Sequence, residues 1–459
     1  MTINRRGFLQ SMLAAGAFPL LPGCFTAGSY GANGKVRLAA IGIGCQAWYD
    51  IQQLTSNADI CELVALCDTD LGAKHTLECL KKYPTLPRFR DFRSMFDKMA
   101  DQIDAVLVGT PDHSHFAACM HAMRLGKAVY VEKPLANTFR ECELLMAAER
   151  KYGVVCQMGN QGHSGANYWQ FKDYWEKGII KDVTKVVAHM NNERRWHKWG
   201  GKVYSLPQKE QIPSTLNWDE WLSVQPHHDY SHDYCVGEWR NWFDFGDGCM
   251  GDWGAHIIDC VHEFVLKGAL PDEVQISHVT GWNPFVFPID NTLTFKFGKI
   301  DLEWYEGVKN QPKQPKEFLY RTNKGLFPAS AANDGMEEPK LVPGKEIYQA
   351  DGRSWQGMSH SSPLMVLGKK DEKLPEYYDP KVSHWRNFLL AVKGEDVTHS
   401  PFRIAGPLSQ VFTLGCAAQR LNRGFKFDPV AKKAIGDDEA NRLLEGPAPR
   451  PGWEEYFKG

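Results

Sequence analysis

The sequence predicts an α/β protein in two domains. A parallel sheet with crossover helices comes first, followed by an α+β domain with an open, mostly antiparallel or mixed sheet. Three observations carry this. From Asp104 to Ala136 the chain reads apolar run, turn, helical pattern, glycine and second apolar run, a strand–helix–strand unit whose crossover forces the strands parallel. Similar units flank it. Farther on, strand-like runs follow one another, and nine of the fifteen tryptophans lie between Trp169 and Trp253, a texture unlike the first part. At 459 residues the chain also exceeds one ordinary core.

Taken in order, the first residues belong to neither domain. Asn4-Arg5-Arg6-Gly7-Phe8-Leu9 is a twin-arginine pattern, and the apolar stretch Met12–Leu21 after it is too short to cross a bilayer. This reads as the leader of an exported protein, on the route that carries chains already folded. Leu21-Pro22-Gly23-Cys24 resembles a lipoprotein box. Residues 1–33 are therefore expected to be leader and linker of a periplasmic protein, or of one held at the membrane by lipid on Cys24. A hydrophobic share of 43%, a charged share of 24% and a net charge of −2 suit a soluble globular chain. They give no electrostatic case for nucleic acid or an anionic membrane. The twelve cysteines contain no C-x-x-C pair, so no metal site is expected. Cys61, Cys67, Cys119 and Cys156 sit in apolar runs and read as small core residues.

The first domain is placed at residues 34–160. Its opening strand ends at Ile41 and leads into Gly42-Ile43-Gly44-Cys45-Gln46-Ala47, a G-x-G-x-x-A between strand and helix. The first glycine permits the tight turn, the second admits a pyrophosphate, and the small third residue lets helix and strand pack. The next strand, Leu63–Cys67, ends at Asp68, 26 residues after Gly42. A carboxylate there binds both ribose hydroxyls of NAD and repels the extra phosphate of NADP. Asp68 also reads as a turn former at a helix start. NAD is thus the expected cofactor, held at Gly42, Ile43, Gly44, Gln46 and Asp68. After a further helix and the segment Phe92–Met99, the central unit delivers Thr110, Asp112 and His115 behind the strand Ala105–Val108. It delivers Glu132-Lys133-Pro134 behind Ala128–Val131. Both strand ends reach the sheet edge where such folds bind ligands. Lys133 is either a solvated lysine or an ammonium that polarises a substrate hydroxyl, with Pro134 holding the turn extended. His113, next to His115, suits packing at a helix start. Helix Phe139–Lys151 and strand Val154–Met158 then lead to Asn160, Gln161 and His163, more polar groups for one cleft.

The second domain, 161–459, has strand-like runs at Val183–Met190, Glu273–Thr280, Thr292–Phe297 and Ile300–Tyr305. Asn310–Pro375 reads as excursion loops, and helical patterns return at Val382–Val392 and Leu408–Leu421. The glycine-rich stretch from Gly246 to Asp259 stands apart. If it is helical, Asp252, His256, Asp259 and Glu263 share one face. That face is either a solvated polar stripe or an acid–base pair on a helix start pressed against a ligand, with Asp252 orienting His256.

The ordered set G-x-G-x-x-A, Asp68, Thr110-Pro111-Asp112-x-x-His115, Glu132-Lys133-Pro134 and Gly248-x-x-Gly251-Asp252-x-Gly254-x-His256-x-x-Asp259 resembles the glucose–fructose oxidoreductase/inositol dehydrogenase (Gfo/Idh/MocA) family. The resemblance covers nearly the whole chain after the leader. It implies an N-terminal Rossmann domain, a C-terminal domain that closes the cleft and often mediates homo-oligomers, and oxidation or reduction of a sugar or cyclitol carbon with NAD or NADP, of which Asp68 makes NADP the less expected here. It implies further that Lys133 contacts cofactor and substrate, that His256 moves the proton, and that Asp252 lies beside them. Thr110, Asp112, His115 and Glu132 would line the nicotinamide side, with Asn160, Gln161, His163 and Asp259 toward a carbohydrate substrate. One branch of the fold group uses bound NAD for glycoside cleavage through transient oxidation, so that outcome stays open. So does a sugar-binding lipoprotein without catalysis.

Overall fold

The computed structural model describes residues 34–190, 203–235, 237–322, 325–328, 341–360, 362–369 and 372–458. The twin arginines and Cys24 lie outside them. Six strands, β1 (Val36–Ile41), β2 (Cys61–Cys67), β3 (Arg88–Phe89), β4 (Ala105–Val108), β5 (Ala128–Val131) and β6 (Cys156–Met158), pair in the order β3-β2-β1-β4-β5-β6. All pairs are parallel. The order reverses between β1 and β4, the switch point at which the loops part and leave a crevice. β4 and β5 are buried at every position, as central strands covered on both faces must be. Cys61, Cys67, Cys119 and Cys156 are core residues.

Helix Phe139–Tyr152 shows how local chemistry sets its bounds. Thr138 Oγ1 accepts from Glu141 N at 3.1 Å and the Glu141 carboxylate accepts from Thr138 N at 3.2 Å. This is a reciprocal cap that satisfies two orphan donors. At the other end Gly153 takes a left-handed φ of +61° and stops the helix.

The second sheet comprises β7 (Val183–Met190), β8 (Glu273–Thr280), β9 (Asp290–Phe297), β10 (Ile300–Glu306), β13 (Gly344–Gln349), β14 (Ser354–Met358), β15 (Met365–Val366), β16 (Phe425–Asp428) and β17 (Lys433–Ala434). β11 (Leu319–Thr322) and β12 (Gly325–Pro328) form a separate hairpin. The order is β15-β14-β13-β7-β10-β9-β8-β16-β17, antiparallel except for the β7–β10 pair, so the domain is mixed as expected. The reading of 310–375 as excursion loops fails, because β11 to β15 lie there and three of them extend the sheet. Their buried side chains include Lys345, Glu346 and Gln356, so no apolar alternation announced them.

Helix Phe402–Leu421 joins the layers. It packs on helix Phe139–Tyr152, on β8 and on helix Gly248–Ile257. The chain end returns to the first domain, where Trp453 and Tyr456 meet Phe92 and His121.

Candidate active site

The glycine loop is built by close approach. Gly42 has φ +87°, and a Cβ there would stand 2.6 Å from the Gly109 carbonyl oxygen, so only glycine fits. The small third residue acts as its spacing predicts, since Gly109 packs directly against Ala47. Helix Cys45–Thr55 starts at Gly44 without any side-chain cap, and Gly44, Cys45 and Gln46 border the crevice, as a helix start that meets a phosphate would. Asp68 Oδ2 accepts from Ile43 N at 3.1 Å and Oδ1 from Asp70 N at 3.0 Å. Both expectations for Asp68 therefore meet in one carboxylate, which braces its own turn and faces the cleft. Burial pushes its carboxyl above the ordinary value.

At the other end of the same cleft, of about 840 Å³, Lys133 Nζ donates to Asp252 Oδ1 at 2.7 Å. Their side chains are 11% and 7% exposed, so Lys133 is a buried, directed ammonium and not a solvated one. The Lys133–Pro134 peptide is cis, where an extended turn was expected. Asp252 and His256 stand one turn apart on helix Gly248–Ile257 and both border the cleft. The glycines of this helix press against protein, not ligand. A Cβ at Gly248 would lie 2.8 Å from the Phe287 ring, at Gly251 3.3 Å from Pro134 Cγ, and at Gly254 2.6 Å from Phe412 Cε1. Close packing thereby sets the helix that carries Asp252 and His256 against the lysine turn.

Three residues of the expected polar stripe are buried and Glu263 partly so, and the stripe divides. Asp252 and His256 reach the cleft. Asp259 Oδ2 instead sits 2.8 Å from His163 Nδ1, with Glu263 Oε2 3.3 Å from His163 Nε2. Burial alone would depress the His163 pKa, but the two carboxylates outweigh it and the net shift is upward. His163, Asp259 and the buried Asn160 do not border the cleft, whereas Gln161 does, with its Nε2 donating to Glu132 Oε1 at 2.8 Å. Gln46, Thr110, Asp112 and Glu132 border it as well. The Ile43 side chain belongs to the core. His115 is fully buried, with its ring nitrogens 2.8 Å from the carbonyl oxygens of Thr110 and Pro134. It ties the two loops together from behind. His113 is packed between the Trp221 and Phe245 carbonyls, and burial drops its pKa to about 4.

Three residues were missed in the sequence. Arg240 is buried, with Nη1 3.2 Å from Asp112 Oδ2 and Nε 3.7 Å from Asp252 Oδ1. It therefore braces the carboxylate that holds Lys133, and Asp112 serves Arg240 and Asp247 N. Asp50 is buried against Glu132 and accepts from Trp385 Nε1 at 2.9 Å. Burial, together with the Glu132 charge, holds its carboxyl well above the usual range. His360 lies parallel to His256, with ring centroids 4.1 Å apart. Only the Asp50 signal was within reach, as an acid inside an amphipathic helix face.

The segment 203–246 runs along the cleft and is tied to the first domain's edge. Asn217 N donates to Thr69 O at 2.8 Å, Arg90 Nη1 to Ser214 O at 3.2 Å, and Arg93 pairs with Glu220. Its aromatic cluster includes Trp218, Trp221, Tyr234 and Phe245.

Residues 36–160 match the oxidoreductase family model of the NAD-binding Rossmann fold, GFO_IDH_MocA. Residues 165–282 match that family's C-terminal alpha/beta domain. The chain belongs to the Gfo/Idh/MocA oxidoreductase family. Among similar curated proteins, an alpha-N-acetylgalactosaminidase of Shewanella oneidensis is 26% identical over 168 residues, 35% of this chain and 36% of that one. A glycosyl hydrolase family 109 protein of Shewanella putrefaciens is 27% identical over the same shares. The match thus spans about a third of either relative. Among solved structures, the WlbA dehydrogenase of Bordetella pertussis in complex with NADH and UDP-GlcNAcA is 14% identical, with a TM-score of 0.57 over 86% of this chain and 99% of that one. An NAD-binding protein of Listeria innocua is 16% identical, with a TM-score of 0.52 over 85% and 97%. These two share the fold.

NAD is the cofactor of this Gfo/Idh/MocA chain, and its residues fit the dinucleotide. The uncapped helix start suits a pyrophosphate, and Asp68 suits a ribose diol. Thr110 Oγ1, on a residue that borders the cleft, is buried without a hydrogen-bond partner among the described residues, as a contact to the cofactor would require.

Proposed function

We propose that this protein oxidises a hydroxyl-bearing carbon of a sugar, cyclitol or glycoside, with NAD held tightly between turnovers. The observation that carries the reading is the meeting of Lys133, Asp252 and His256 at the end of a cleft that begins at the glycine loop. Bound NAD supplies the hydride acceptor. Lys133 donates to the substrate oxygen and stabilises its developing negative charge, while His256 takes the hydroxyl proton. Asp252 aims the ammonium, and Arg240 holds Asp252 in place. The tied segment 203–246 supports retention of the dinucleotide, since its anchors at Thr69, Arg90 and Glu220 must part before the adenosine end opens.

A second reading is redox-neutral glycoside cleavage, in which the hydride returns to the sugar. The match to family 109 glycosyl hydrolases favours it. Export by the twin-arginine route, to the periplasm or to a lipid anchor at Cys24, and assembly of copies into a homo-oligomer complete the proposal. Retained NAD suits a compartment in which lost cofactor is not replaced. The test is a panel of sugars, inositols and glycosides added to the protein as purified, reading the absorbance of reduced nicotinamide. At least one compound produces it in the wild type and none does in Lys133→Ala. A Lys133→Ala protein that responds like the wild type contradicts the assignment.

A further inference from the structure

We propose that His360 is a second acid–base residue of this cleft, serving the carbon beside the one that is oxidised. The inference rests on the hydride-transfer reading above and deepens it toward glycoside cleavage. Its ring is stacked on His256 at 17° and 4.1 Å, and the edge of Trp253 stands 5.4 Å away. Its backbone N donates to His256 O at 3.1 Å. His360 has φ +58°, a left-handed conformation that a non-glycine residue adopts only where its surroundings hold it there. Its Nδ1 lies 3.0 Å from Ser359 Oγ, so the hydroxyl engages one nitrogen and Nε2 is left for substrate. His360 is exposed at the cleft rim, and partial desolvation of its ring, with the Lys133 charge nearby, holds the imidazole below its ordinary pKa.

His360 also stands at a junction. It borders the main cleft and a neighbouring recess of about 460 Å³, and Gln46 and Gln161 share both. Tyr49 and Trp385, edge to face at 5.6 Å, wall the recess, and aromatic walls of this kind suit the apolar face of a sugar ring. A single sugar oxidised at Lys133 leaves the recess without a role. A glycoside places its leaving group there, past His360.

Oxidation of a carbinol needs one proton acceptor, and His256 with Lys133 provides it. Elimination needs another. Once the neighbouring carbon is a carbonyl, His360 takes the adjacent C–H proton. The C–H electron pair becomes a double bond to the anomeric carbon. The bond from that carbon to the leaving oxygen breaks, and the oxygen departs with the electron pair and takes up the proton that His256 received from the hydroxyl. Water then adds its oxygen to the anomeric carbon and gives a proton to His256. His360 returns its proton to the neighbouring carbon, and the hydride and the His256 proton restore the alcohol. The sum is hydrolysis without net redox change.

The experiment incubates the protein in deuterium oxide with a carbohydrate that reduces its bound nicotinamide. It follows that reduction by absorbance and deuterium uptake at the adjacent carbon by NMR. In the wild type both occur. In His360→Ala and His360→Asn, which keep the backbone donor to His256 O, the ratio of deuterium uptake to reduction falls about 100-fold, and added imidazole restores part of it in His360→Ala. An unchanged ratio in both variants, or reduction without uptake in the wild type, overturns the role of His360. Absence of nicotinamide reduction with every carbohydrate overturns the hydride-transfer reading itself, and the role with it.

Discussion

Replacing Asp252 with asparagine keeps the shape of the side chain and removes the charge between two buried cations. Lys133 Nζ lies 2.7 Å from Asp252 Oδ1, and Arg240 Nε lies 3.7 Å from the same oxygen. At an effective dielectric of about 20 the closer pair alone attracts by about 6 kcal/mol before desolvation is counted. Breaking a buried pair from one side costs about 3–5 kcal/mol, because the remaining charge keeps its desolvation penalty. The upper half of that range is expected here. Arg240 keeps Asp112, at 3.2 Å, whereas Lys133 loses its one salt bridge among the described residues and keeps only the charge of Glu132 nearby. Denaturant unfolding at neutral pH measures the loss, and nicotinamide reduction should fall about 10²–10⁴-fold in the same protein. Lys133→Met added to Asp252→Asn removes the stranded ammonium and should recover much of the stability but none of the activity. A single variant within about 1 kcal/mol of wild type would refute the buried, directed ion pair.

Three further outcomes are expected. Titration calorimetry of cofactor-free protein should find NAD binding tighter than NADP, and Asp68→Ser should narrow the difference while weakening both, since Asp68 also braces Ile43 N. His262 is buried, its Nε2 is 3.0 Å from Ala269 O, and burial sets its pKa to about 4. Its folded pKa is thus below the unfolded value of about 6.5, so below that pH the unfolded chain takes up a proton that the folded one refuses. Stability is therefore lost as pH falls from about 6.5 toward about 4. His262→Gln should remove about 1.4 kcal/mol per pH unit of that slope, measured as the difference between unfolding free energies of the two proteins. Gly254→Ala gains about 1 kcal/mol of helix propensity, but its Cβ meets the buried Phe412 ring at 2.6 Å. A net loss of about 1–2 kcal/mol and a displaced Asp252 should lower both melting temperature and activity.

The parallel sheet was legible because its strands are buried runs and its turns carry their chemistry locally. Gly42, Ala47 and Asp68 could be read one by one from their spacing at the strand ends, although the close approach that fixes Gly42 and Ala47 is to Gly109 at the end of β4. Lys133, Asp252 and His256 were legible as types at a spacing, though not as a 2.7 Å ion pair, because helix Gly248–Ile257 is positioned by Pro134, Phe287 and Phe412 from three distant segments. His163 and Asp259 sat in strings that pointed to the cleft. They pair with each other because both are buried behind it and each satisfies the other's charge. Arg240 and His360 carried no local signal. Arg240 reaches the cleft on the segment 203–246, which is tied to the first domain's edge, and His360 on the turn after β14 of the second sheet. β13 and β14 were hidden for a related reason, since Lys345, Glu346 and Gln356 fill buried positions where the pattern asks for apolar residues.

The central claim is that a carbon-bound hydrogen passes from a carbohydrate to NAD held at Lys133 and His256. An active carbohydrate deuterated at its oxidised carbon tests this most directly. The protein is incubated with it, denatured, and its released cofactor weighed by mass spectrometry. The expected result is deuterium in the reduced nicotinamide of the wild type and none with His256→Ala or Lys133→Ala. Product formed by wild-type protein whose cofactor carries no deuterium at any point of the time course would contradict hydride transfer at this site.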